Sequence, residues 1–183
     1  MKRFFSEDHI EVYPKALSKE QCQFYIDKIN NSETCSGFDV GNYRGLALKM
    51  SQEISLFNTL FEYKDRYIEK HTILKNIPLL WSVEDDFNVQ KYSKGMAYDG
   101  EHVERGVESF STYRMLVWMF YLNDIKNGGG THWPQQKFTS KPRQGSLIIW
   151  PADWTHSHYG IVAHNEEKYI ATGWFNYNEK GVN

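Results

Sequence analysis

The sequence predicts an α+β fold in which N-terminal helices pack on an antiparallel β-sandwich or barrel. Three observations carry that expectation. Apolar residues recur with a helical period before about residue 80; short β-type runs separated by turn residues follow from Trp81 onward; and no Rossmann or P-loop glycine pattern is present. A chain of 183 residues, 16% aromatic and 24% charged, has enough apolar mass for a sizeable core and too little bias for disorder.

The elements follow in order. Ser18 and Gln21 form a capping box with Leu17 as staple, and Cys22, Tyr25, Ile26 and Ile29 give one apolar stripe, so a helix is expected over about 19–30. A second helix is expected over about 52–74, with Leu56, Leu60, Tyr63, Tyr67 and Ile68 facing inward. The period switches near Pro78. Strands are expected at Phe87–Tyr92, Tyr113–Leu122, Ser146–Trp150, Ser157–Val162 and Lys168–Phe175, with a short sixth at Thr131–Trp133. Asn127-Gly128-Gly129-Gly130 and Gln144-Gly145 read as turns, and Asn165-Glu166-Glu167 as a hairpin tip. With no linker or repeat, residues 1–183 are expected to form one domain, helical over about 1–80 and β-rich over about 81–178.

Charge and composition narrow the partners. Twenty-one Lys plus Arg against 23 Asp plus Glu leave a net charge of −2, with no basic excess for nucleic acid or anionic lipid. No apolar run of membrane-spanning length is present, and the start turns acidic straight after Met1–Phe5, so a cytoplasmic protein is expected. Cys22 and Cys35 lack metal-type spacing.

The chemistry concentrates in His102-Val103-Glu104 and His156-Ser157-His158. In an extended chain residues i and i+2 share a face, so His102 and Glu104 present an imidazole and a carboxylate side by side. That is two-thirds of a facial triad, the arrangement that leaves half of a metal's coordination sphere open in non-haem iron(II) oxygenases. The third ligand has to come from a distant strand, and His156 and His158 both project toward the same side if that strand is regular. Lys168 opens the run Tyr169-Ile170-Ala171-Thr172-Gly173-Trp174-Phe175, which is too apolar for an edge strand. Its buried ammonium needs an anionic partner.

These residues resemble the iron(II)- and 2-oxoglutarate-dependent dioxygenases of the prolyl 4-hydroxylase type. The resemblance runs in order through Tyr92, His102-Val103-Glu104, Arg114 to Tyr121-Leu122-Asn123, Gly129-Gly130-Thr131, Pro142-Arg143-Gln144-Gly145 and Ile148-Ile149-Trp150-Pro151. It continues through the histidine cluster, Lys168-Tyr169 and Thr172-Gly173-Trp174-Phe175, and so covers about Phe87–Tyr177. Glu104 stands where the commoner member has aspartate. The resemblance implies a double-stranded β-helix, or jelly roll, with iron(II), Fe(II), held by His102, Glu104 and a distal histidine. The usual ten-residue spacing to Lys168 favours His158 over His156. It further implies that Lys168 and Tyr121, with Tyr92 and Thr172, bind 2-oxoglutarate, that Trp174 is a packing wall, and that dioxygen (O2) and ascorbate take part. The expected reaction hydroxylates a prolyl or other peptide residue, or a small molecule, as 2-oxoglutarate becomes succinate. A non-catalytic metal-binding jelly roll is the alternative. A cupin-type enzyme without cosubstrate leaves Lys168 unexplained.

Overall fold

The computed structural model describes residues 8–32, 43–76, 81–98 and 100–177. The segment Met1–Phe5, Cys35 and the expected switch at Pro78 lie outside the described residues. Strands are β1 (Glu11–Tyr13), β2 (Arg44–Lys49), β3 (Trp81–Val83), β4 (Asp86–Tyr92), β5 (Arg114–Tyr121), β6 (Thr131–Trp133), β7 (Phe138–Thr139), β8 (Leu147–Pro151), β9 (Tyr159–Gly160) and β10 (Lys168–Tyr177). The helices are α1 (Lys19–Asn31) and α2 (Ile54–Lys70). All described strand pairs are antiparallel: a larger sheet in the order β1-β8-β5-β10-β4-β2, with β3 on the far end of β10, faces a small one in the order β7-β6-β9. This is the jelly roll with helices on one sheet.

The period-2 alternation of the central strands separates the two faces of the larger sheet. Phe87, Val89, Leu116, Trp118, Phe120, Leu147, Ile149, Tyr169, Ala171 and Phe175 point to the helices and meet Cys22, Tyr25, Ile29, Leu56, Leu60 and Tyr67. Each large apolar side chain buried there contributes about 1.5–3 kcal/mol. The intervening residues Tyr92, Val117, Met119, Tyr121, Ile148, Trp150, Ile170 and Trp174 form a second core with Trp133 of the small sheet. The Gly128-Gly129 turn, at φ +76° and +70°, brings β6 into place, and a Cβ on Gly128 would sit 2.0 Å from the Val162 carbonyl oxygen.

The structure departs from the expected elements at four places. The N-terminal part also supplies strands: β1 pairs with β8 and β2 with β4, so it belongs to the larger sheet as well as covering it. The second helix stops at Lys70 and continues as a separate 3₁₀ turn over Thr72–Lys75. The six-residue strand at 157–162 shortens to β9 plus a bridge at His158, because β6 offers only a short partner. Trp154, counted among the core aromatics, is 72% exposed.

A candidate metal centre in a cavity

His102 and His158 face each other across an isolated antiparallel bridge, with each backbone N–H donating to the other's carbonyl at 3.0 and 2.9 Å. That bridge closes a 56-residue separation and sets the two imidazoles 4.4 Å apart. Each ring donates from Nδ1 to a backbone carbonyl, His102 to Gly100 at 2.8 Å and His158 to His156 at 3.0 Å. A carbonyl can only accept, so both Nδ1 atoms carry hydrogen and both Nε2 lone pairs turn inward. Glu104 is held in the same stretch by its backbone N–H on the Ala152 carbonyl. Its Oε1 lies 3.6 Å from His102 Nε2 and 3.5 Å from His158 Nε2.

Three electron-rich donor atoms therefore lie within 4.8 Å of one another with no donor between them in these tautomers. Such a set fits a divalent transition metal, and two imidazoles with one carboxylate suit iron(II). Burial alone would raise the Glu104 carboxyl, but the two imidazoles hold it well below the usual carboxylate range. His102 moves up: burial opposes this, and the Glu104 carboxylate and Gly100 carbonyl outweigh it. Trp133 and Trp150 pack on His158 at ring separations of 5.9 and 5.1 Å, which keeps water from that side.

His156 lies elsewhere. It ends a 3₁₀ turn, donates from Nε2 to the Asp8 carbonyl at 2.6 Å and faces the Thr155 hydroxyl with Nδ1 at 2.9 Å. The two histidines do not share a strand face, contrary to the expectation for a regular strand.

The three residues open onto a cavity of about 320 Å³. Tyr92, Lys168 and Thr172 line it, together with Asn88, Gln90, Thr131, Arg114 and Trp174. Lys168 Nζ has no hydrogen-bonded or ionic partner among the described residues and lies 5.2 Å from the Tyr92 ring and 5.7 Å from the Tyr121 ring. Burial lowers its ammonium to about 8. An orphaned cation and a metal-type donor set lining the same cavity fit a chelating dicarboxylate. Tyr121 is fully buried behind the wall, its hydroxyl 3.2 Å from Thr131 Oγ1 and 2.7 Å from Ser140 Oγ. The Tyr92 hydroxyl donates to Gln90 Oε1 at 2.7 Å, and that of Thr172 to the Trp118 carbonyl at 3.0 Å.

Trp174 is more than a packing wall. Its Nε1 donates to Glu104 Oε2 at 3.0 Å, and the Arg114 guanidinium stacks on its ring 3.4 Å from the centroid. Sequence reasoning missed this contact and the cavity positions of Asn88 and Gln90. The alternation signalled the cavity face of these residues, because Trp174 stands an even number of residues from Lys168, and Asn88 and Gln90 an even number from Tyr92; it carried no signal for the Trp174–Glu104 contact.

The model of a family described as the 2OG-Fe(II) oxygenase superfamily matches residues 87–176. "Probable prolyl 4-hydroxylase 9" of Arabidopsis thaliana is 23% identical over 198 residues, covering 88% of this chain and 66% of its own length, so the chain spans just under two thirds of that relative. Among solved structures, the viral collagen prolyl hydroxylase of Paramecium Bursaria Chlorella virus-1, in complex with 2OG, superposes at TM-score 0.74 with 19% identity. That match covers 94% of this chain and 97% of the viral one. A prolyl-4-hydroxylase of Pseudomonas putida superposes at 0.68 with 14% identity, covering 93% and 94%. A prolyl hydroxylase of Trichoplax adhaerens, in complex with a hypoxia inducible factor peptide fragment, superposes at 0.65 with 17% identity, covering 95% and 86%.

Proposed function

Since residues 87–176 match the model of the 2OG-Fe(II) oxygenase superfamily, we propose that the chain is an oxygenase of that family and hydroxylates a peptide residue or small molecule in a reaction that consumes 2-oxoglutarate and dioxygen and yields succinate and carbon dioxide. The observation that carries this reading is the pairing, in one cavity, of the inward-facing Nε2, Nε2 and Oε1 set with an unpartnered buried ammonium. His102 Nε2, Glu104 Oε1 and His158 Nε2 would hold iron(II). Bound iron supplies the chelation of the 2-oxo acid and the activation of dioxygen.

The remaining work belongs to the protein. Lys168 neutralises the far carboxylate of the cosubstrate, an interaction strengthened by its burial. Thr131, on the cavity wall and hydrogen-bonded to Tyr121, offers that carboxylate a hydroxyl. The backbone bonds of His102 and His158 fix the imidazole tautomers in advance, so the donor atoms need little reorganisation. Val103, Tyr98 and Phe110 line the cavity and are partly exposed, which supports entry of an apolar substrate segment on that side. The Trichoplax relative's peptide complex supports a peptide substrate here.

The test is succinate formation from 2-oxoglutarate by iron-loaded protein under air, without added substrate, compared with His102→Ala. Succinate above that background is the expected result. Bound iron and cosubstrate with no succinate, either alone or with proline-rich peptides, would favour a non-catalytic metal-binding module.

A further inference from the structure

Glu104 uses its two oxygens differently. Oε1 faces the two imidazoles, while Oε2 accepts from Trp174 Nε1 at 3.0 Å and lies 3.6 Å from Arg114 Nη1. The same Nη1 donates to the backbone carbonyl of Glu104 at 3.2 Å, so one guanidinium grips both the main chain and the side chain of this residue. Arg114 is itself held on two sides. It stacks on the Trp174 ring at 3.4 Å, and its buried Nε lies 3.8 Å from Oε2 of Glu84, whose side chain is largely buried.

A glutamate has one more rotatable bond than an aspartate and can turn both oxygens toward a metal. Three donor atoms on one face leave the opposite face open, and a second carboxylate oxygen would take a position from that face. A charge-assisted bond from a buried indole, with a guanidinium beside it, opposes that rotation in a site of low local dielectric.

We propose that Trp174 and Arg114, backed by Glu84, are positioning residues that hold Oε2 of Glu104 off the metal, so that this carboxylate binds through Oε1 alone and the cosubstrate's positions stay open. The inference rests on the oxygenase reading of the same site.

The experiment is an anaerobic titration of 2-oxoglutarate into Fe(II)-loaded protein, following the visible charge-transfer absorption of the chelated 2-oxo acid, with iron affinity measured separately. Wild-type protein should develop the band; its absence would overturn the oxygenase reading and the inference with it. Trp174→Phe keeps the ring under Arg114 but removes the donor. It should bind iron as tightly as wild type or tighter, and need about tenfold more 2-oxoglutarate or more for half-maximal absorption. Glu84→Gln leaves indole and guanidinium in place and should shift the titration in the same direction by a smaller factor. A wild-type band with both variants titrating like wild type would overturn the positioning role and leave the oxygenase reading standing. Loss of iron from Trp174→Phe would equally overturn it, because Oε1 and the imidazoles should hold the ion unaided.

Discussion

Lys168 shows how burial converts one side chain into a pH-dependent element. Its ammonium is lowered to about 8 by burial, below the ordinary lysine value, so across the window between them the unfolded chain holds a proton that the folded chain has lost. Stability of the ligand-free protein therefore rises with pH through that window, and below about 8 the full cost of the buried charge is present. The cosubstrate carboxylate requires the charged form. Above pH 8 its affinity should fall about tenfold per pH unit, with proton uptake on binding, whereas Lys168→Arg should show a nearly flat profile. Calorimetry at pH 9 in two buffers of different ionisation enthalpy checks this; equal heats would refute the linkage. The histidine pair gives a second residue-scale prediction. His158→Ala should empty the metal site, and His156→Ala should keep iron while loosening the segment around Asp8. Iron content after dialysis distinguishes them, and the reverse pattern would exchange their roles.

At the scale of elements, the legible parts were those with strong local signals. The Ser18–Gln21 capping box is present in both directions, at 2.9 and 3.2 Å, and α1 runs one residue past the expected end. Ser18→Ala should cost about 1 kcal/mol, read as a lower urea midpoint with an unchanged slope and unchanged metal affinity. Elements that were not legible owe their form to partners. Arg44-Gly45-Leu46-Ala47-Leu48-Lys49 has no β-branched residue, and it is a strand because β4 offers six register positions to it. Three-residue β1 is too short for a period to register, and its buried Glu11 reads as surface until Lys70 and His71 are seen to meet it.

At the scale of the whole molecule, the candidate site exists only where two sheets meet. Glu104 and His102 come from an irregular segment, His158 from a bridge beside the small sheet, and Lys168 and Trp174 from β10 of the larger one. Metal and cosubstrate should therefore stabilise the fold as one body. Fe(II) alone should raise the thermal midpoint under anaerobic conditions, and saturating 2-oxoglutarate should raise it further, with about 2.7 kcal/mol expected at a hundredfold excess over Kd. His158→Ala should abolish both increments; a cosubstrate shift that persists without the metal would detach Lys168 from the proposed chelate.

The sequence by itself determined the class of helices packed on an antiparallel sandwich or barrel, the His102–Glu104 pair and the buried character of Lys168, because capping, period-2 alternation and an apolar run act over a few residues; the jelly roll came from the family resemblance. The spacing to Lys168 favoured His158 as the third donor but left His156 open, and tertiary structure separates the two: Asp8 and Thr155 close on His156, while the His102 bridge brings His158 beside Glu104. It also decided that Glu104 divides its oxygens between imidazoles and the Arg114–Trp174 pair. Contacts spanning ten, fifty-six and seventy residues depend on sheet register and packing, and no local pattern in the chain encodes them.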